Sequence, residues 1–409
     1  MYLNEKEEKM YKGEVGESVR KAMEILVALG DIYNAERLIR VESAHIAGLS
    51  YKTHGDAGLK YVEDLVAIGA SVQIPTTVNV IGVDRSRWRE LGLPRYWAEK
   101  QLRILSAYEK MGCLGSCSCT PYYHGILPRL WEHVACAESS AVVFLNSVIG
   151  ARDNREGGPS ALASALTGLT PLYGYHLDQN RVGTHFFEVN AELKSISDYG
   201  ALGAYVGRMI GEHIPVFDGI SKNAPIEGLV ALGAGLASSG AVAMFHAVGI
   251  TPEAHTLEKA FGDAKPKERI QIGNEEMRTA YEQLTSAASS KVEYVAIGCP
   301  HCSIRQIKQI ADLLRGKQVS KGVRLWIHTS VPIKAFCEKT GLTQTIEKAG
   351  GVVTADMCTV LGPIEALGLE TAATDSAKLA FYAPGTNKLK VWYGSVEKCI
   401  EASIKGKWD

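Results

Sequence analysis

The chain has 409 residues, 46% of them hydrophobic, with nine cysteines and a formal net charge of -1. That length supports two or three packed domains, and a balanced charge without a long basic run gives no electrostatic footprint for nucleic acid or an anionic membrane. Small molecules are the better-suited substrates. The N-terminal MYLNEKEEKMYKGEVGE lacks the basic and apolar regions of a secretory signal, so a cytoplasmic location with reduced thiols is expected.

In chain order, residues 17–29 carry apolar positions at helical spacing and stop at Gly30. A strand-like run over 37–46, the loop AGLSYKTHGDAG, a helix over 58–68 and a strand over 72–80 predict a β-α-β order. RYWAEKQLRILSAYEK (95–110) predicts an amphipathic helix ended by Gly112. It leads into MGCLGSCSCTPYYHG (111–125), where Cys113, Cys117 and Cys119 share one loop. Residues 127–136 then predict a helix and 141–148 a buried strand. Arg152, Asn154 and Arg155 precede a helix opened by Pro159, a set of donors suited to an anion such as a phosphate.

The window 228–248 has no charge apart from His246, but Gly and Ser interrupt it, so it reads as a buried helix-turn-strand rather than a membrane span. Beyond residue 180, strand-like runs (184–189, 214–217, 242–246, 270–272, 292–297, 323–328 and 352–356) alternate with helical ones, which predicts α/β layers. Gly233, Gly235 and Gly240 lack the spacing of a dinucleotide fingerprint, and Gly200, Gly203, Gly207 and Gly211 read as small residues that let a helix pack closely. Aromatic residues without basic interleaving exclude a single-strand nucleic-acid platform.

Thiols recur where loops leave predicted strands: Cys299 and Cys302 after 292–297, Cys358 after 352–357. Open α/β sheets collect ligands at such ends. C-x3-C-x-C followed far downstream by C-x2-C is not zinc-finger spacing. It leaves three readings: an iron-sulfur cluster assembled from separate domains, a structural zinc site, and unrelated buried thiols. Three cysteines on a four-iron cluster would leave one iron open as a Lewis acid, which is hydro-lyase chemistry. Removing water also needs an acid, a base and groups that hold a carboxylate. Glu138, His54, His124, His301, Lys378, Arg152 and Arg155 are the candidates.

AGLSYKTHGDAG (47–58), PTTVNV (75–80), CTPYY (119–123), EHVACAESSAVVFLNSVIGARDNREGGPSAL (132–162), IGCPH (297–301) and ADMCT (355–359) occur in an order that resembles the aconitase X family, over nearly the whole chain. The resemblance implies an aconitase-like fold of three α/β domains around a cluster-containing cleft, with approximate limits 1–150, 151–285 and 286–409. It implies a 4Fe-4S cluster with one open iron on Cys119, Cys299 and Cys358, leaving Cys113, Cys117 and Cys302 as bystanders. Substrate contacts carry over to Gly48, Leu49, Ser50, Asn79, Val80, Glu138, Ser139 and Lys378, with Glu138 and Ser139 also catalytic. Val80 stands where the archaeal group more often has Pro.

The family's small swivelling domain is expected on a separate partner subunit that supplies the proton-abstracting serine, so this chain alone should be nearly inactive. The implied activity is dehydration of (R)-5-phosphomevalonate to trans-anhydromevalonate 5-phosphate, in a mevalonate route to isoprenoids. The alternative substrate is cis-3-hydroxy-L-proline. A reading from another class is a non-catalytic scaffold subunit with a closed metal site.

Overall fold

Short apolar strands, most of three to five residues, are assembled into three parallel sheets that succeed one another along the chain. The computed structural model describes all residues, 1–409. In the first, Ala44–Ile46 lies between Thr76–Val78 and Ala135–Cys136. An antiparallel ribbon of Leu38–Arg40 with Leu169–Pro171 stands beside it. The helices Glu17–Ile32, Tyr51–Ala67, Arg95–Lys110 and Gly158–Thr167 belong to the same stretch.

The second sheet runs in the spatial order 246–247, 215–218, 185–189, 269–272, all parallel. The third runs 351–354, 324–328, 294–297, 371–374, 390–393, also all parallel. Both therefore place their first strand beside their fourth, a doubly wound order whose crevice lies where the winding reverses. Helices Ile196–Ile210 and Ile226–Gly240 cross so closely that a Cβ on Gly203 or Gly235 would collide with the facing backbone, as the small-residue pattern predicts. The apolar window 228–248 is indeed a helix, a turn at Ala241 (φ 60°) and a strand, and no helix is long and apolar enough to cross a membrane.

One apolar cluster runs from Met23 and Ile46 through Ile81 and Cys119 into Tyr294, Cys358 and Val391. The first and third units thus share a core, and the thiol-bearing loops sit at that seam.

Two local expectations fail. Residues 141–148 are helical, as Ser139–Phe144 and a π-turn at Leu145–Ile149, with Glu138 at the N-cap accepting from the Ser140 N–H. An apolar run buried on every side has no periodicity to separate strand from helix. Residues 127–136 are not a helix: Pro128 and a left-handed Trp131 (φ 73°) break the path, which ends in the strand Ala135–Cys136. The run 37–46 divides into two strands in different sheets. The helix expected at 58–68 begins at Tyr51 and kinks at Gly55.

Candidate active site

Cys299 follows the first strand of the third sheet and Lys378 follows the fourth, so both stand at its crevice. Gly298 makes this turn at φ 104°, and a Cβ there would collide with the His328 carbonyl, so only glycine fits. The Ser376 hydroxyl donates to the Cys299 carbonyl, joining the two loops. The Cys358 loop is sewn to the first unit: Ile81 N–H donates to the Asp356 carbonyl at 2.8 Å and Cys358 N–H to the Ile81 carbonyl at 3.3 Å.

His301 ties the three cysteine loops. Its backbone N–H points at the Cys119 sulfur at 3.2 Å, Nδ1 lies 3.1 Å from Ser118 Oγ and Nε2 3.0 Å from the Met357 carbonyl. A carbonyl only accepts, so Nε2 carries the proton and Nδ1 accepts from Ser118. Burial lowers the histidine to about 4, so the ring is neutral.

Cys119, Cys299 and Cys358 are all buried. A hydrogen bond between Cys299 and Cys358 pulls Cys358 below a free thiol's usual value and pushes Cys299 well above it. Cys119 interacts electrostatically with both, and Lys378 favours the thiolate at all three. No three His, Cys, Asp or Glu side chains close on one point as ligands of a single ion do. The donor set, three thiols on converging loops beside a fixed cation, fits a cluster, whose separate irons take separate thiolates. Cys117 instead faces Arg85, 3.7 Å away. The Cys302 backbone is held by His328 and Thr329, and burial raises the Cys113 and Cys302 thiols.

On the opposite wall, Glu138 leaves the strand Ala135–Cys136. One carboxylate oxygen accepts from Lys378 Nζ and from Ser140 Oγ at 2.8 Å, the other from Asn79 Nδ2 at 2.5 Å. Burial alone would raise this carboxyl, but Lys378 and the donors from Ser140 bring it down to about 2. Lys378 is likewise held above its usual value: burial opposes the charge, and Glu138 and the thiols outweigh burial. Ser139 Oγ lies 3.3 Å from the ammonium.

Gly48, Leu49 and Ser50 form the loop after Ala44–Ile46. The Ser50 hydroxyl caps the following helix at Lys52 N–H (3.1 Å) and donates to the Leu361 carbonyl at 2.8 Å. Buried Gln101 donates to the Leu49 carbonyl at 2.9 Å and accepts from the N–H groups of Tyr51 and Gly82. Asn79 and Val80 follow the strand Thr76–Val78, both buried. A cavity of about 30 Å³ touches Cys299, His301 and Lys378, and it shares Glu227, Gln306 and Asp375 with a groove of about 810 Å³ between the second and third units. Cys299 thus lines a small cavity that borders the larger groove.

The other sequence candidates differ in their surroundings. Arg152 is 3% exposed, paired with Asp178 (2.6 Å) and Glu253 (3.0 Å) and stacked on Trp131, so it is not free for a phosphate. Arg155 is exposed, with one long bond to the Ala237 carbonyl. His54 packs on Tyr108 and interacts with the Gly48 backbone. His124 keeps both ring nitrogens buried and unpartnered, and burial lowers it to about 4.

Sequence reasoning missed Gln101 and Ser140. Gln101 left a signal: it is the one polar residue on the buried stripe Ala98, Leu105 and Tyr108. Ser140 left none.

The chain is similar to known proteins over nearly its whole length. Family models for the first, second and third domains of aconitase X match residues 1–179, 183–282 and 292–405. The phosphomevalonate dehydratase large subunit of Methanocaldococcus jannaschii is 46% identical over 407 residues, 98% of this chain and 100% of that one. A cis-3-hydroxy-L-proline dehydratase of Pseudomonas aeruginosa is 38% identical over 400 residues, 97% of this chain but 68% of that one. The crystal structure of Thermococcus kodakaraensis aconitase X in its holo-form superposes with a TM-score of 0.91 at 40% identity, covering 98% of this chain and 100% of that one.

Proposed function

The chain belongs to the aconitase X family, and on that premise we propose that it is the large subunit of a cytoplasmic hydro-lyase that dehydrates (R)-5-phosphomevalonate. The observation that carries this reading is end-to-end similarity to a large subunit of that name, joined to a buried Glu138–Lys378 pair facing three thiols. The same similarity supports a separate small subunit, which would supply the base. The second reading, a cis-3-hydroxy-L-proline dehydratase, is favoured only by the weaker likeness to a longer protein.

Cys119, Cys299 and Cys358 would hold an iron-sulfur cluster, and such a group supplies a Lewis acid for the leaving hydroxyl. The chain's own residues do the rest. Glu138 is ionised and Lys378 protonated, so the pair holds its shared proton on Nζ, beside the Ser139 hydroxyl. From there Lys378 can hold an oxyanion of the substrate or hand that proton to the departing hydroxyl; the neutral amine then takes a proton back from solvent, and the ionised Glu138 beside it favours the ammonium form. The loop Gly48–Ser50 is locked by Gln101 and by the Leu361 carbonyl, which makes it a rigid wall for orienting the substrate. Arg155, exposed on the loop that meets the Cys136 carbonyl through Glu156 N–H, is the arginine still free for a phosphate.

The test is anaerobic co-purification with the small subunit, followed by assays of water loss from 5-phosphomevalonate and from cis-3-hydroxy-L-proline. Turnover of the phosphate ester alone is expected. Turnover of the imino acid alone overturns the substrate and leaves the dehydratase class standing.

A further inference from the structure

We propose that His45 is a positioning residue for Glu138, acting through the side-chain amide of Asn79. The proposal rests on the reading of Glu138 as part of the active site.

His45 sits in the central strand of the first sheet, in register with Thr77 on one side and Cys136 on the other. It is 4% exposed, with Nδ1 2.8 Å from Thr77 Oγ1. Thr77 and Asn79 are two residues apart in one extended segment, so their side chains leave the same face, the one His45 shares. Two buried atoms here have no hydrogen-bond partner: His45 Nε2 and Asn79 Oδ1. They share the face on which His45, Thr77 and Asn79 project, which makes them the pair of donor and acceptor closest to hand, and the Asn79 side chain is among the groups that favour the protonated ring.

The direction of every proton in this row follows from one fact. Glu138 is ionised and only accepts, so Asn79 must present its NH₂ to Glu138 and turn its carbonyl oxygen away. An amide oxygen can be satisfied there only by a donor. His45 therefore carries its proton on Nε2, and Nδ1 accepts from the Thr77 hydroxyl. The row reads Thr77 to His45 to Asn79 to Glu138, each donating to the next, with Lys378 closing the far side. With the imidazole in place, the amide cannot turn its oxygen toward the carboxylate without placing an NH₂ group against an N–H. Without it, the amide is free to turn its oxygen inward, and the carboxylate then keeps Lys378 and Ser140 but loses the Asn79 donor that orients its second oxygen. A buried donor and acceptor left apart are costly, which favours closure of this contact.

Two measurements test this on the complex with its small subunit. First, nitrogen NMR of the ring, assigned by the signal lost in His45→Gln, is expected to show the Nε2–H tautomer. This arm needs no substrate, so it stays readable if the proposed activity is wrong. Second, His45→Leu is expected to lower kcat by about 10- to 100-fold with KM and iron content nearly unchanged. His45→Gln, which keeps a donor, is expected to recover most of the loss. Thr77→Val removes one hydroxyl, leaves the fold little disturbed, and should show a smaller kcat loss in the same direction. An Nδ1–H tautomer, a glutamine variant as impaired as the leucine one, or unchanged kcat in both His45→Leu and Thr77→Val overturns the proposal.

Discussion

The sheet of residues 185–272 and the sheet of residues 294–393 are wound alike, each with its first strand beside its fourth. In the third unit that crevice is bordered by Cys299 and Lys378, close to Cys358 and Cys119. In the second unit the equivalent turns are Asn190–Ala191, whose N–H groups go to the Ile272 carbonyl, and Gly273, with no thiol and no buried charge among them. The winding creates a crevice in both, and the loop residues decide whether it does chemistry. The second unit serves instead as a packing partner: its core takes in Val143, from the helix that Glu138 caps.

Breaking the ion pair should separate the two crevices most sharply. Glu138→Gln and Lys378→Met each strand a buried charge or its partner, and each should lower kcat by about a thousandfold or more, measured at saturating substrate. Gly298→Ala comes next. Its strained φ and its collision with the His328 carbonyl should cost roughly 1–3 kcal/mol and displace the Cys299 loop, read as a lower melting temperature with loss of bound iron.

The pH dependence of stability sharpens the comparison further. The folded value of Glu138, about 2, lies below its ordinary 4.5, so its contribution is complete above 4.5 and is lost as pH falls toward 2. The difference corresponds to about 3 kcal/mol. Urea unfolding of Glu138→Gln should therefore be less pH-dependent over that window than the parent. The smallest effect belongs to the silent crevice: Asn190→Ala should change kcat by no more than about twofold.

The strands over 292–297, 323–328 and 352–356 were legible because parallel strands buried on both faces are nearly continuous apolar runs. The same rule misread 141–148, where an equally continuous run is a helix capped by Glu138. The individual site residues were visible as residue types. Their company was not: Glu138 and Lys378 are 240 positions apart, and nothing local says that one neutralises the other. Arg152 shows the converse, an arginine near a helix start whose charge Asp178 and Glu253 already occupy. His45 sits inside a predicted strand, where a histidine looks like filler until its neighbours across the sheet are known.

The central claim is that the third crevice gathers three thiols for one cluster and leaves the other cysteines out. Iron and acid-labile sulfide, counted per chain after anaerobic purification of single Cys→Ser variants, test it directly. Cys119→Ser, Cys299→Ser and Cys358→Ser should each lose the cluster, while Cys113→Ser, Cys117→Ser and Cys302→Ser should keep it. Full iron content in Cys358→Ser would contradict the account.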